Sequence, residues 1–189
     1  MDDAGSVREQ PGADEPSDEA LMASWCGGER RAFEALFNRY AGRLHGYFLR
    51  SVGAEEHARD LVQQTFLHLH RARADFRQGS PLRPWLYTIA ANLKRQHFRT
   101  RSRKPEAAWD VERHGEPAVA PGVSTPRQRL VRRSLEALPD NQREVVTLHY
   151  YEGLSFTEIA AVLGISVSAA KVRAHRAYGR LRDILGEGK

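Results

Sequence analysis

Residues 154–185 read LSFTEIAAVLGISVSAAKVRAHRAYGRLRDIL, and their side chains point to one kind of chemistry. Lys171, Arg173, His175, Arg176, Arg180 and Arg182 follow one another with no acid from Lys171 to Arg182. Guanidinium and ammonium groups donate to phosphate oxygens and to the O6 and N7 edge of guanine. The residues before them supply a frame. Ser155 and Glu158 have the S-x-x-E spacing of a capping box, which starts a helix. Ile159, Val162 and Leu163 give that helix one apolar stripe. Gly164 stands where the chain must leave the helix through a left-handed residue, and Ser166 can cap the next one. Val167, Ala170, Ala174, Leu181 and Ile184 line one side of that second helix, so the cations occupy the others. A short capped helix, a glycine turn and a basic second helix form the layout of a helix-turn-helix. Its second helix fits a DNA major groove, N-terminal residues toward base edges. Ser168, Ala169, Lys171, Val172, Arg173 and Arg176 are the candidates there. Arg180 and Arg182 lie toward the backbone, and Thr157 can meet a phosphate. The plain alternative is a helical hairpin with a solvated basic face.

The chain that must position this segment has 189 residues and a formal net charge of +5, unevenly spread. Residues 1–18 hold six acids and one base, whereas Lys94 to Lys104 holds six bases and no acid. Such segregation implies local surfaces for a polyanion. Cys26 is the only cysteine, so an internal disulfide and a cysteine-only zinc site are excluded. His68 and His70, two apart, point to different helix faces and make poor metal partners. No apolar run is long enough to span a membrane, and the acidic start lacks the order of a signal peptide. The expected location is the cytoplasm, without membrane insertion. No glycine-rich phosphate loop, nucleophile elbow or paired-carboxylate motif is present, so no catalysis, metal or cofactor is expected.

The pattern along the chain is helical throughout. Residues 1–17, mixed Gly, Pro, Ser and acids, read as a disordered tail. A short helix is expected at Asp18 to Trp25. A longer one follows at Ala32 to Arg50, where Phe33, Leu36, Phe37, Tyr40, Leu44, Tyr47 and Phe48 recur at helical steps. A third fits Glu55 to Ala72 and a fourth Pro84 to Arg99. From Arg101 to Pro126 periodicity vanishes and prolines punctuate a stretch too long for an internal connection. Helical pattern resumes at Arg127, and Val145, Val146 and Leu148 mark a further helix before the pair. The expected fold is all-α: two small helical domains, 18–100 and 127–189, on a flexible linker over 101–126.

Four stretches together are similar to a known family: AFEALFNRYAGRLHGYFLR at 32–50, RDLVQQTFLHLH at 59–70, PWLYTIAANLKRQHFR at 84–99, and LPDNQREVVTLHYYEGLSFTEIAAVLGIS at 138–166. In this order and spacing the chain resembles bacterial RNA polymerase sigma factors of the sigma-70 family, in the two-domain extracytoplasmic-function (ECF) group. The resemblance implies a first domain that docks on core RNA polymerase and opens the promoter −10 element, and a second that reads the −35 element as duplex. It implies that Asp60, Leu61, Gln63, Gln64 and Phe66 belong to the polymerase-binding helix. It implies that Phe76, Arg77, Arg83, Tyr87, Asn92, Lys94, Arg95 and Arg99 serve the −10 strand. The loop from Arg73 to Ser80 would select a flipped base, and Asn92 would meet the adjoining strand. Unpaired bases are held on aromatic platforms beside cationic tracks, and both kinds of group are present here. Trp85 reads as core at its helical spacing, while Phe76 and Tyr87 stay open between core and platform. Gln64 and Gln96 stand where the family usually has acids. An anti-sigma partner is common in the family, and nothing in this chain identifies one.

The rival reading is a helix-turn-helix regulator acting as a dimer without being a polymerase subunit. It calls for a dimerisation or ligand domain, and residues 18–100 show neither a heptad seam nor a ligand-binding pattern. A protein-binding adaptor leaves the basic run from Lys94 to Lys104 unexplained.

Overall fold

A computed structural model describes residues 15–102 and 125–186, and every regular element among them is helical. Four helices come first: α1 (Asp18–Cys26), α2 (Arg30–Val52), α3 (Glu55–Arg71) and α4 (Leu82–Arg101). A single 3-10 turn, Arg73–Asp75, separates the last two. Four more follow: α5 (Pro126–Glu136), α6 (Asp140–Val146), α7 (Phe156–Leu163) and α8 (Val167–Gly186). Between α6 and α7 the helix widens into a π-helical turn, Thr147–Tyr151. Most of the expected tail (1–14) and of the expected linker (103–124) lies outside the described residues. Residues 15–17, assigned to the tail in the sequence reading, instead belong to the folded part. Ser17 Oγ accepts from the Ala20 amide at 3.1 Å and caps α1. Glu15 pairs with Arg39 at 3.2 Å.

The first four helices bury the stripe that the sequence shows. Leu36, Tyr40, Leu44, Tyr47 and Phe48 of α2 pack against Leu61, Phe66 and Leu69 of α3 and Leu86, Ala90 and Ala91 of α4. Each fully buried Leu or Phe contributes roughly 1.5–3 kcal/mol. Phe37 departs from that stripe: it lies at its edge and is exposed. Polar contacts fasten α1 across the bundle. Asp18 takes Arg39 Nη1 at 2.6 Å and the Tyr40 hydroxyl. Glu19 Oε1 accepts from the Leu82 amide at 3.1 Å, covering one of the unpaired donors at the start of α4.

The second group is held by local signals. The capping box is complete: Glu158 N–H donates to Ser155 Oγ at 3.3 Å, and Ser155 N–H to Glu158 Oε2 at 2.7 Å. Gly164 adopts the left-handed conformation at φ 66°. Ser166 Oγ accepts from the Ala169 amide at 3.1 Å, so it caps α8. Ala170, Ala174 and Ala177 are the buried positions of α8, while Val167, expected on the apolar side, is exposed at the first turn. Small residues let α8 approach α6 and α7 closely.

The two groups also pack on each other. Helix α7 lies against α4. Val145, Leu148, Leu154, Ile159 and Val162 join one continuous apolar cluster with the core of the first four helices. A smaller cluster of Leu135, Leu138, Val146 and Ala177 belongs to the second group alone. Among the described residues no helix is long and apolar enough to cross a membrane.

Candidate nucleic-acid interface

The helix-turn-helix presents its expected face to solvent. Thr157, Ser168, Lys171, Val172, Arg176 and Arg180 are exposed, and Ala169 and Arg173 are half-buried. Because Ala170, Ala174 and Ala177 turn inward, the cations at 171, 173, 176 and 180 project away from the core. Ser166 and Ser168 hydroxyls lie 3.0 Å apart at the N-terminus of α8, where free backbone donors favour an anion.

Helix α4 carries two different faces, which the sequence reading had merged. Asn92, Arg95 and Arg99 are exposed, and Arg95 Nη2 donates to Asn92 Oδ1 at 2.6 Å. Arg77, on the preceding loop, is exposed as well. Arg83, Tyr87 and Lys94 line the other face, which the second domain covers. Tyr87 is fully buried, and its hydroxyl donates to Glu152. Lys94 is buried and paired with Glu144. In this arrangement neither meets a strand, which corrects the expectation for both. Burial pushes the Tyr87 hydroxyl well above the ordinary tyrosine range, with Glu152 adding to it. Burial draws the Lys94 ammonium below its usual value, and Glu144 opposes that.

Glu152 is the centre of the covered face. It is 1 % exposed, and an unpaired carboxylate so placed costs several kcal/mol. Donors from the first domain surround it: Arg43 Nε at 3.2 Å, Arg50 Nη2 at 3.3 Å and the Tyr87 hydroxyl. Its backbone oxygen accepts from Arg43 Nη2 and Arg83 Nη1, each at 3.3 Å. The π-helical turn aims the residue. Glu152 N–H closes on Thr147 O at 3.2 Å, and Gly153 then takes φ 68°, a left-handed step that glycine accepts. The His149 ring stacks on Phe156 at 4.4 Å and donates from Nδ1 to Leu154 O at 2.8 Å, fixing the approach to α7. None of Glu152, Arg43, Arg50 or Glu144 stood out in the sequence.

Phe76 is also corrected: it is buried and tilted against Trp85 at 5.0 Å, so it is core, not a platform. Trp85 is half-buried against the core, as its spacing implied. A different aromatic site borders the Arg73 loop. Trp25, Cys26, Gly28, Arg30, Phe33, His70 and Arg73 line a cavity of about 370 Å³. The Arg73 guanidinium lies over Trp25, 5.9 Å from the ring centre, and contacts His70 Nε2 at 2.8 Å. Cys26, exposed, donates from its thiol to Arg73 O at 3.3 Å.

On α3, Asp60, Gln63 and Gln64 are exposed on one face, while Leu61 and Phe66 are buried in the bundle. Leu61 and Phe66 therefore support this face from behind and do not form it. Leu67 completes it. It is exposed and lies four residues beyond Gln63, and Phe37 of α2, whose ring lies 4.7 Å from Phe66, is a second exposed apolar residue of the bundle. Their exposure, not their spacing, was the missing signal.

Comparison with known proteins agrees along most of the chain. The Sigma-70 region 2 family model matches residues 36–104, and the Sigma-70, region 4 model matches residues 128–181. The RNA polymerase sigma factor CarQ of Myxococcus xanthus is 43% identical over 162 residues, covering 85% of this chain and 92% of that one. The ECF RNA polymerase sigma factor SigM of Mycobacterium tuberculosis is 31% identical over 176 residues, 93% of this chain and 88% of that one. Two solved structures are similar. CnrH in complex with the cytosolic domain of CnrY is 31% identical with a TM-score of 0.66, covering 91% of this chain and 99% of that one. The sigma factor RpoE in complex with the anti-sigma factor NepR from Bartonella quintana is 26% identical with a TM-score of 0.69, covering 82% and 96%.

Proposed function

The chain belongs to the sigma-70 family, in its ECF group, and we propose how its residues divide the work of promoter-directed initiation. As a sigma factor it brings promoter specificity to RNA polymerase. The exposed face of α3, with Asp60, Gln63, Gln64 and Leu67, together with the exposed Phe37 of α2, meets core polymerase. Polar groups around an apolar centre suit a separable protein interface. Thr157, Ser168, Lys171, Val172, Arg173, Arg176 and Arg180 read the −35 element as duplex. Arg77, Asn92, Arg95 and Arg99 track the melted −10 strand, and the cavity beside Arg73 receives an unstacked base against the half-buried Phe33. Residues 18–100 and 127–189 act as separate reading domains joined by the segment 101–126. The factor works in the cytoplasm, performs no catalysis of its own, and is subject to capture by an anti-sigma protein, as the Bartonella relative is.

The observation that carries this reading is the solvent-facing row of cations on α8, set on a helix start and a turn that are both locally determined. A regulator that ignores polymerase would need only that half of the chain, whereas residues 36–104 match sigma region 2. The test is permanganate footprinting with reconstituted holoenzyme. Reactive thymines should open over one short stretch, with duplex protection centred upstream of it. Protection upstream without any opening would support the lone regulator instead.

A further inference from the structure

The strand-facing side of α4 does not account for the whole basic run from Lys94 to Lys104. Lys94 is paired with Glu144, and Arg95 and Arg99 are exposed beside Asn92. Arg103 and Lys104 lie outside the described residues. Arg101 remains. It is on the opposite side of α4, one turn beyond His97, because residues four apart share a helix face. It is half-buried, has no acidic partner among the described residues, and lies close enough to His97 to act on its charge. The His97 ring in turn lies 5.0 Å from the His57 ring of α3, centre to centre, tilted by 37 + 22 = 59°. His57 Nδ1 and His97 Nε2 are shut off from solvent and make no hydrogen bond. Three nitrogen-bearing side chains thus meet where the start of α3 abuts the end of α4. The acids in the first turn of α3 do not balance them. Glu55 is engaged by His45 of α2 and by Arg59, each at 3.1 Å, and Glu56 is exposed.

Such a cluster calls for an anion. A dication would suit two imidazoles, but the neighbouring guanidinium repels it, whereas phosphate oxygens accept from all three side chains. We propose that His57, His97 and Arg101 form a binding site for a phosphate group, carried by a free nucleotide or polyphosphate or by a nucleic-acid backbone. With His57 Nδ1 and His97 Nε2 closed off, His57 Nε2 and His97 Nδ1 are the nitrogens that donate to the ligand, beside the planar fork of Arg101. An imidazolium carries N–H on both nitrogens, so charging His97 leaves one of them buried without a partner. Burial, His57 and Arg101 together hold the His97 pKa below its ordinary value. A bound anion offsets the repulsion from His57 and Arg101, so phosphate binding and protonation of His97 assist each other. The phosphate also ties the start of α3 to the end of α4. Because the site lies across α4 from Asn92, Arg95 and Arg99, it is independent of the −10 strand path and goes beyond the sigma-factor assignment.

The test follows the histidine rings of the full chain by NMR, with isotope-labelled histidine. Sodium pyrophosphate and an oligothymidine strand serve as separate probes, at equal phosphate concentration and constant ionic strength. His57→Gln and His97→Gln identify the two signals by their loss. The exposed His68 of α3 is the internal control. The His57 and His97 signals should move saturably while His68 stays still. The His97 titration midpoint should rise by about 0.5 pH unit or more, which is about threefold in coupled affinity. Arg101→Gln breaks no hydrogen bond among the described residues and should weaken binding about fivefold or more. A response to pyrophosphate supports the site and assigns it to a free phosphate compound. A response to oligothymidine alone supports it and assigns it to a nucleic-acid backbone. Equal drift of all three histidine signals, or a His97 midpoint that ignores both probes, would overturn the site. An Arg101→Gln chain that binds as tightly as wild type would overturn it as well.

Discussion

Arg50 Nη2 lies 3.3 Å from Glu152 Oε1, although 102 residues separate the two in the chain. The same guanidinium covers the Tyr151 ring, 4.3 Å from its centre. Desolvation draws the Arg50 guanidinium below its usual value, and Glu152 opposes that. One side chain of α2 thereby ties the start of the helix-turn-helix to the first four helices. A contact of this kind joins the two helical groups at a point far from either one's own local signals.

Replacing Arg173 or Arg176 with Ala should weaken recognition of the upstream element by about 1–3 kcal/mol if the residue reads a base. Holoenzyme assembly should be unaffected, because α8 lies apart from α3. Competitive binding to matched and scrambled upstream sequences checks this. Equal loss on both sequences would assign the residue to phosphate contact.

Leu67→Asp should cost at least about 1 kcal/mol in affinity for core polymerase, roughly fivefold. Stability should change by no more than about 0.5 kcal/mol, since the side chain is exposed. Leu61→Asp should unfold the first domain instead, because Leu61 is buried. Thermal melts beside a polymerase competition assay separate the two, and equal behaviour of both variants would contradict the placement.

Ser155→Ala removes the cap of α7 and should destabilise the second domain by about 0.5–2 kcal/mol. Gly164→Ala should cost about 1–2 kcal/mol from the left-handed backbone alone, as a Cβ there meets nothing within 4 Å. Chemical denaturation measures both. A neutral Gly164→Ala would mean that the turn relaxes without penalty.

His97 titrates against its surroundings. Burial, His57 (ring centres 5.0 Å apart) and Arg101 all hold its pKa below the ordinary 6.5. The unfolded chain then binds the proton first, so stability is full above the unfolded value and falls as pH drops through it. His97→Gln should flatten this loss in melts taken from pH 7 to pH 5. An unchanged slope would show that the acid sensitivity lies elsewhere.

What the sequence made legible was local. The capping pair Ser155 and Glu158, the left-handed Gly164 and the cap at Ser166 each depend on residues a few positions apart, and each is found where the spacing places it. Residue type alone could not divide platform from core, so Phe76 and Tyr87 read the same way before folding buried both. Position along α3 does not tell Leu61 and Phe66 from Leu67, and only exposure separates them. Glu152 was unreadable for a different reason: its partners Arg43, Arg50 and Tyr87 lie 65 residues or more away, with no periodicity to link them.

The central claim is that this chain gives core RNA polymerase its promoter specificity. The most direct measurement is transcription from a genomic fragment library with core polymerase, with and without the chain, mapping the 5′ ends of the transcripts. The account predicts a small set of start sites that require the chain, share a two-part upstream pattern, and lose its upstream half in the Arg173→Ala, Arg176→Ala double variant. Start sites that are the same with and without the chain would contradict it.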